Sequence, residues 1–420
     1  MTRRTGNADL PLHGGRVPAW LGERMTRLGA IIAEAIVLHY GRDEFLRRLS
    51  NPFWFQSFGA VMGMDWHSSG ITTSVIGALK RGLASRGNDL GIYVCGGRGA
   101  QSRKTPVELF AIADRTGLDG DKLASASRLV AKVDSAAVQD GYDLYLHGFI
   151  TTTDGNWAVI QQGMNGDLGQ ARRYHWLSEG LQSFLDSPHS AIEGVEQGPI
   201  MNLADARAQT SREAQLELLA ALNPDEIADE FYKITGKGLS RPVPVETQMS
   251  LPNLVMPEHH DVRESDVNMG RLHATLAAAA ECGPRDFEEL LLTPNVGPRT
   301  VSALAMVAEV VHGAPYRFSD PARFSLAHGG KDRHPYPVPI KIYDETIRVM
   351  KSAVVKGRLG QREELLALKR LDDQARQLER YVTGPDLKEI VAGEFKHSSE
   401  FGGRSIFGHE IEFEKKNGGG

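Results

Sequence analysis

The sequence predicts an α/β or α+β N-terminal domain followed by a mainly α-helical domain. Residues 1–240 mix helical hydrophobic spacing with short strand patterns, whereas residues 241–265 are proline-rich and show no hydrophobic period. Helical patterns resume in residues 266–360, and residues 361–420 are typical of a charged helix and a flexible tail. We therefore expect two domains joined by a proline-rich linker, with a C-terminal extension.

The N-terminal elements follow from local patterns. Helical spacing runs from Trp20 to about Ser50, and a second helical pattern begins after Gly70 and is expected to end at Gly87. A short strand over 90–97 leads into a glycine-rich loop and a helix, with Thr105 as its predicted cap and Pro106 in its first turn. Two strands joined by Asp154-Gly155 complete the pattern, since Asp-Gly is a strong hairpin signal.

Composition limits the functional classes. The chain has 420 residues, 41% hydrophobic and 24% charged, and a net charge of −5. A chain with this charge has no global field that attracts polyanions, so any such binding needs a local basic patch. Two distant cysteines, Cys95 and Cys282, are too few for a disulfide framework or a cysteine zinc site. We found no secretion signal, and the apolar stretch Leu28–Leu38 is too short for a membrane span, so we expect a cytoplasmic protein without a membrane partner.

The segment from Leu290 to Gly313 contains Pro-Asn-Val-Gly-Pro-Arg-Thr between two apolar helical patterns. A helix start presents unpaired backbone N–H groups and the positive end of the dipole, so it favours phosphate. Arg299 lies in the first turn of the second helix and can pair with a phosphate oxygen, and Val296 would fill the space between the helices. An ordinary connection without a ligand is the alternative.

This segment resembles the helix-hairpin-helix motif of DNA repair proteins, whose typical hairpin reads Leu-Pro-Gly-Val-Gly-x-Lys-Thr-Ala. The positions that match directly are Pro294, Val296, Gly297 and Thr300. Arg299 replaces the lysine, and Asn295 replaces the first glycine, a mild change because Asn tolerates a left-handed backbone. The resemblance implies DNA contacts at Asn295, Gly297, Arg299 and Thr300. From Arg299 to Arg358 there are ten Lys and Arg against five Asp and Glu, which favours phosphate binding.

Two further features lie downstream of this segment. Asp320 follows Gly313-Ala314-Pro315 at an offset similar to that of the catalytic Asp in DNA glycosylases of the same superfamily. The second helix is longer here, and Pro321 replaces the usual Thr-His, so the competing interpretation is a helix cap. Lys331 lies in a glycine-containing polar loop that either extends the phosphate site or is only a loop.

Four N-terminal residues are candidates for catalysis or metal binding. Asp65 and His67 lie close together and could bind a metal or act as an acid and base. Asp134 and Asp140 could meet if a helix ends between them, and two carboxylates holding Mg²⁺ or Mn²⁺ are typical of phosphodiester hydrolysis. The alternative for Asp65 is a buried aromatic turn, and the spacing of Asp134 and Asp140 is weak evidence.

Basic residues of the N-terminal domain are candidates for phosphate contacts. Arg98, Arg103 and Lys104 lie in the glycine-rich loop before a helix, where an anion could bind. Arg172 and Arg173 precede Tyr174 and Trp176, a combination that suits stacking on unpaired bases. The alternatives are a plain strand–helix connection and a strand edge beside a buried Trp.

Several long strings, among them NPFWFQSFGAVMGMDWHSSGITTSVIGALK, GGRGAQSRKTP, LVAKVDSAAVQDGY, WAVIQQGMN and ARRYHWLS, resemble the domain-of-unknown-function 763 family. The family is commonly noted to hold the helix-hairpin-helix segment, which implies DNA, single-stranded or duplex, as the partner. Our leading hypothesis is a metal-dependent nuclease or related DNA-processing enzyme. The alternatives are a non-catalytic DNA-binding scaffold and, more weakly, a base-excision glycosylase centred on Asp320.

Overall fold

The structure of the protein is a computed structural model. It describes residues 10–11, 19–64, 69–235 and 269–322, and, in the C-terminal part, residues 348, 351–352, 355, 369, 404–405 and 408–409. Three of the predicted site residues, Asp65, His67 and Lys331, lie outside the described residues. So do the predicted linker at 241–265 and most of 361–420.

The described residues form twelve α-helices and eleven strands. The helices are α1 (Ala19–Tyr40), α2 (Arg42–Ser50), α3 (Pro52–Val61), α4 (Gly70–Leu83), α5 (Gly87–Leu90), α6 (Thr105–Thr116), α7 (Gly120–Lys132), α8 (Gln209–Ala221), α9 (Pro224–Thr235), α10 (Met269–Cys282), α11 (Phe287–Leu292) and α12 (Pro298–His312). The strands are β1 (Leu10–Pro11), β2 (Ile92–Arg98), β3 (Val138–Gln139), β4 (Asp143–Thr152), β5 (Trp157–Asn165), β6 (Gln170–Leu177), β7 (Ala191–Glu193), β8 (Pro199–Asn202), β9 (Arg317–Ser319), β10 (Arg404–Ser405) and β11 (Gly408–His409).

Shorter helical segments connect these elements at two places that matter for the site. A 3₁₀ helix, Gly99–Lys104, lies between β2 and α6. A π-helix, Val133–Ala137, continues α7 toward β3. Because π-helices are rare and often lie at functional sites, this segment draws attention to Asp134, which it carries.

The main sheet has six antiparallel strands. Its order is β1-β6-β5-β4-β2, and β7 pairs with β6. β4 and β5 form the predicted hairpin, and Gly155 in the turn has φ 83°, which is the left-handed region that favours glycine. The strands β3, β8 and β9 form a second, antiparallel sheet. The predicted mixture of helices and strands is confirmed, and antiparallel pairing makes the fold α+β.

The two faces of the main sheet contribute to two hydrophobic clusters, because successive side chains of a strand point to opposite faces. One cluster joins α1–α4 to side chains such as Leu146, Ile150 and Ile160. The other contains Phe149, Val159 and Trp176, and it extends through α7 and α8 to α10–α12. The helices on either side of the predicted linker therefore share one hydrophobic cluster.

Three local predictions need correction. The helical pattern from Trp20 to Ser50 is two helices, since Gly41 at φ 90° separates α1 from α2. α4 ends at Leu83, and Gly87 begins the short helix α5. Thr105 is the first residue of α6, whose N-cap residue is Lys104, and the Thr105 hydroxyl donates to the Ser102 carbonyl at 2.7 Å. Among the described helices, none is both long and apolar enough to span a bilayer.

Candidate nucleic-acid interface

A tight turn joins α11 to α12, and we call residues 293–300 the hairpin turn. Asp286 caps α11 by accepting from the Glu289 amide at 2.8 Å, and Thr293 donates to the Glu289 carbonyl at 3.0 Å where the helix ends. The Val296 amide donates back to the Thr293 carbonyl at 3.2 Å, which closes the turn. Pro298 then starts α12 in the position that suits proline best.

Two predictions about this turn are confirmed. Asn295 has φ 68°, so it adopts the left-handed conformation for which glycine would be the usual residue. Val296 is only 1% exposed and fills the space under the turn. A buried valine beside a left-handed residue fixes the direction of the turn, so its neighbours Pro294, Asn295, Pro298 and Arg299 are exposed.

The exposed side of the hairpin turn has the properties that a phosphate site needs. Gly297, the N-cap residue of α12, carries no side chain that could accept from the first amides of the helix. Arg299 is exposed, and within the described part of the chain no hydrogen bond or ion pair is found for its guanidinium. Gly297 is half-buried, whereas Thr300 is buried, so the Thr300 side chain supports the helix start from inside.

Two residues that flank the π-helix hold backbone carbonyl groups of the hairpin turn. Lys132 donates its Nζ–H to the Val296 carbonyl, and the Gln139 amide donates to the Pro298 carbonyl at 2.7 Å. Burial lowers the pKa of Lys132. The turn is therefore fixed by side chains of α7 and β3, which lie far away from it in sequence.

The 3₁₀ helix Gly99–Lys104 presents a second set of basic residues. Arg98, Arg103 and Lys104 are all exposed. Gly96, in the strand β2 that precedes this helix, has no room for a side chain, since a Cβ there would lie 2.2 Å from the His147 carbonyl oxygen. Its amide donates to Glu108 at 2.7 Å, and Glu108 also pairs with Lys80 at 2.7 Å. Glu108 therefore pairs with Lys80 and with the Gly96 amide. The three cations Arg98, Arg103 and Lys104 face solvent.

The pairing of α6 and α7 relates these two basic regions. A loop of three residues joins the helices, and Gly120 at the start of α7 packs against Phe110 and Ala113 in the later part of α6. Such a short connection makes the helices antiparallel neighbours. The start of α6, which follows Lys104, and the end of α7, which carries Lys132, therefore lie at the same end of the helix pair.

Asp134 lies in a buried polar cluster. Its carboxylate accepts from the Trp176 indole at 2.9 Å, from His189 Nε2 at 2.5 Å and from the Gln161 amide. The Gln161 carbonyl oxygen accepts from His147, because its amide nitrogen already donates to Asp134. The lone pairs of Asp134 are thus directed at N–H donors, which explains a buried carboxylate without a metal ion.

Asp140 lies in a separate buried cluster around Arg172. The Arg172 guanidinium donates to Asp140 at 2.8 Å and to both oxygens of Asp320 at 2.9 and 2.7 Å. Tyr174 donates to Asp140 at 2.7 Å. Burial raises the pKa of Asp140 to about 6, and the opposing attraction of Arg172 favours its charged form. The partners of Asp140 differ from those of Asp134, so the structure does not bring the two carboxylates to one metal site.

Asp320 also fits a structural role. It is 1% exposed, and it accepts from the backbone amides of Gln197 at 2.8 Å and Ala322 at 3.0 Å in addition to its pairing with Arg172. The contact with Ala322 is that of a capping aspartate, although the rest of the predicted helix lies outside the described residues. A buried carboxylate in a bidentate ion pair does not have the access that a glycosylase acid needs.

The predicted nucleic-acid contacts of Arg172 and Arg173 need correction, since both side chains are fully buried. Arg173 forms an ion pair with Glu193 at 2.9 Å and donates to Gln56 at 2.7 Å and Thr72 at 2.9 Å. Arg173 thus has buried partners for its charge, and removing one of them would leave an uncompensated charge inside the protein. Neither arginine reaches a surface on which a base could stack.

Sequence reasoning missed several members of these clusters. Ser127 lies 2.9 Å from His147 Nε2, and His189 lies against Trp176, with ring centroids 4.4 Å apart. Burial lowers the pKa of His147, so the ring is neutral at neutral pH. Nothing local in the sequence marks Ser127 or His189, because their partners His147 and Trp176 lie on other elements, β4 and β6. Within the described ranges, no group of three or more His, Cys, Asp or Glu side chains could hold a metal ion.

Together these observations define an α+β protein with buried ionic clusters in its sheet and an exposed turn between two helices. Residues 6–338 match the family of proteins of unknown function DUF763, so the chain belongs to this family, as the sequence resemblance indicated. No curated protein and no solved structure matches the chain.

Proposed function

We propose that this protein binds DNA and that the hairpin turn contacts the phosphate backbone as a helix-hairpin-helix. The observation that carries the proposal is the conformation of the turn. Asn295 is left-handed, Val296 is buried beneath it, and Arg299 is exposed in the first turn of α12. The N-terminal amides of α12 and the guanidinium of Arg299 then act on the same anion.

The charges of the two exposed basic regions support a longer contact with the same DNA. Because the chain has a net charge of −5, DNA binding requires a local excess of positive charge. Arg98, Arg103 and Lys104 supply positive charge at the end of the α6–α7 pair nearest Lys132. Successive phosphates along a strand offer a row of acceptors with no sequence information. We therefore propose that the 3₁₀ helix Gly99–Lys104 contacts further phosphates of the DNA that the hairpin turn binds.

Cleavage is a separate hypothesis. Asp134 and Asp140 are occupied by buried protein donors, so the metal-dependent nuclease reaction with Mg²⁺ or Mn²⁺ now depends on Asp65 and His67. The buried setting of Asp320 removes the support for the glycosylase alternative. Our proposal is therefore DNA binding, and the same experiment asks whether binding is followed by phosphodiester hydrolysis.

The test is a titration of labelled duplex, single-stranded and forked DNA with wild type and with Arg299→Glu. We expect the variant to lose roughly tenfold or more in affinity, because a charge-assisted hydrogen bond contributes about 1.5–3 kcal/mol. Arg115→Glu is the matched control, since Arg115 is exposed near the far end of α6. Its affinity for DNA should change much less.

The outcomes separate the hypotheses. Equal affinities for wild type and a folded Arg299→Glu variant would remove the hairpin turn from DNA binding. Binding of RNA alone would reassign the ligand. Parallel reactions with Mg²⁺, Mn²⁺ or EDTA, with Asp65→Ala beside wild type, test cleavage. Metal-dependent cutting that is lost in Asp65→Ala supports the nuclease hypothesis, whereas retarded but intact DNA in every reaction supports a binding protein.

A further inference from the structure

Lys132 contacts the hairpin turn, although 164 residues separate it from Val296 in sequence. It is the last residue of α7, and its ammonium donates to the Val296 carbonyl, which follows the left-handed Asn295. The ammonium therefore lies close to the backbone that forms the proposed phosphate site.

The ammonium of Lys132 has an incomplete set of partners. An ammonium has three donors, and among the described residues the Val296 carbonyl is its one acceptor. No carboxylate of the described part of the chain pairs with it. The residue is half-buried, and burial lowers its pKa, which shows that its surroundings disfavour the charge. A partly desolvated cation that pairs with no carboxylate of the described residues suits an anionic ligand.

We propose that Lys132 is a second phosphate-contacting cation of the hairpin turn. One N–H of its ammonium binds the Val296 carbonyl, and the other donors bind an oxygen of the DNA phosphate that Arg299 contacts. This inference rests on the proposed function, and it adds a residue from outside the α11–α12 unit. The phosphate site is then built from two distant parts of the chain, and it forms only when α7 packs against α11.

A purely structural role is the competing explanation, and the chain offers a control for it. Gln139 holds the neighbouring Pro298 carbonyl at 2.7 Å with a neutral amide. Gln139→Leu removes a hydrogen bond from the same turn and leaves every charge in place. If Lys132 acts only by holding the turn, the Gln139 and Lys132 variants should affect DNA binding alike.

The experiment measures the affinity for a short labelled DNA duplex as a function of salt concentration. For Lys132→Met we expect about a tenfold loss of affinity at low salt and a salt slope reduced by about one unit, as for one lost phosphate contact. Lys132→Arg should retain the slope. Lys122→Met is the matched control, since it removes the same charge from the exposed start of α7, about 15 Å away along the helix, and should change neither quantity.

Each outcome distinguishes this inference from the proposed function. A folded Lys132→Met variant with the wild-type slope, together with weak binding by Arg299→Glu, would overturn the role of Lys132 and leave the DNA-binding proposal intact. An equal loss of slope in Gln139→Leu would also overturn it. Wild-type binding by both Lys132→Met and Arg299→Glu would reject the DNA-binding site itself. If Lys132→Met does not fold, Lys132→Gln, which keeps a donor for Val296, replaces it.

Discussion

The basic residues of β6 and those of the two exposed regions look alike in sequence but have opposite environments. Arg172 and Arg173 are fully buried in the central part of the sheet, whereas Arg103, Lys104 and Arg299 face solvent. The strand arginines each meet buried carboxylates, and within the described residues no carboxylate pairs with the three exposed cations. A cluster of cations is therefore weak evidence for a polyanion site until its elements are placed.

The alternation of side chains along a strand explains why both arginines of β6 are buried in different clusters. Arg172 and Arg173 are neighbours in sequence, so they point to opposite faces of the sheet, and each reaches a different buried cluster. Arg172 reaches Asp140 and Asp320, whereas Arg173 reaches Glu193 of β7 and donates to side chains of α3 and α4. The 3₁₀ helix that carries Arg103 and Lys104 and the first turn of α12 that carries Arg299 lie at the surface, so these cations remain available for a partner.

The largest expected effect comes from removing a buried arginine of β6. Arg172→Met would leave Asp140 and Asp320 buried without their cation, so we expect a loss of about 3–5 kcal/mol in the free energy of unfolding. Urea unfolding measures it. Arg103→Met, on the exposed side, should change stability by no more than about 0.5 kcal/mol. Similar values for the two variants would contradict the assignment of Arg172 to a structural cluster.

The next largest effect is a loss of DNA affinity when two of the exposed cations are removed. The double variant Arg103→Gln/Lys104→Gln should weaken DNA binding more than tenfold at low salt and reduce the salt slope by roughly two units, because two phosphate contacts are lost. Its unfolding curve should match that of wild type. A double variant with the wild-type salt slope would confine the DNA contact to the hairpin turn.

The hairpin turn could be predicted because its determinants are local. The left-handed residue, the buried valine and the proline at the start of α12 all lie within five positions of one another. The same holds for the β4–β5 hairpin, which depends on Asp154 and Gly155. The coarse α+β fold followed from these patterns as well.

The buried clusters could not be predicted, since their partners are distant in sequence. Arg172 and Asp320 are 148 residues apart, and Arg173 and Gln56 are 117 apart. Without the register of β6 there is no signal that a basic pair beside two aromatic residues is internal. The contact of Lys132 with the hairpin turn was missed for the same reason.

The dependence of stability on acid pH tests the burial of another side chain of β6, that of His175. Burial, with the nearby charge of Arg173, lowers the pKa of His175 well below 6.5, so the folded state excludes a proton that the unfolded state binds. This contribution to stability is present above about pH 6.5, and it decreases by about 1.4 kcal/mol per unit as pH falls below that value. His175→Asn should therefore lose less stability than wild type between pH 6.5 and 5.5 in urea unfolding. His39→Asn, which changes an exposed histidine, should follow the wild-type pH dependence; an identical slope for His175→Asn would contradict the burial of a neutral ring.

The smallest expected effect comes from changing Asn295 in the hairpin turn, because this turn sets the position of the exposed Arg299. Asn295 has φ 68°, a conformation that costs a β-branched residue about 1–2 kcal/mol and costs glycine nothing. Asn295→Val should therefore lower the free energy of unfolding by about 1 kcal/mol and weaken DNA binding, because a shifted turn moves Arg299 away from the amides of α12. Asn295→Gly keeps the backbone conformation and should leave both quantities near wild type. If Asn295→Gly loses DNA affinity while its stability is unchanged, the Asn295 side chain itself contacts the DNA, and the site extends beyond the backbone amides and Arg299.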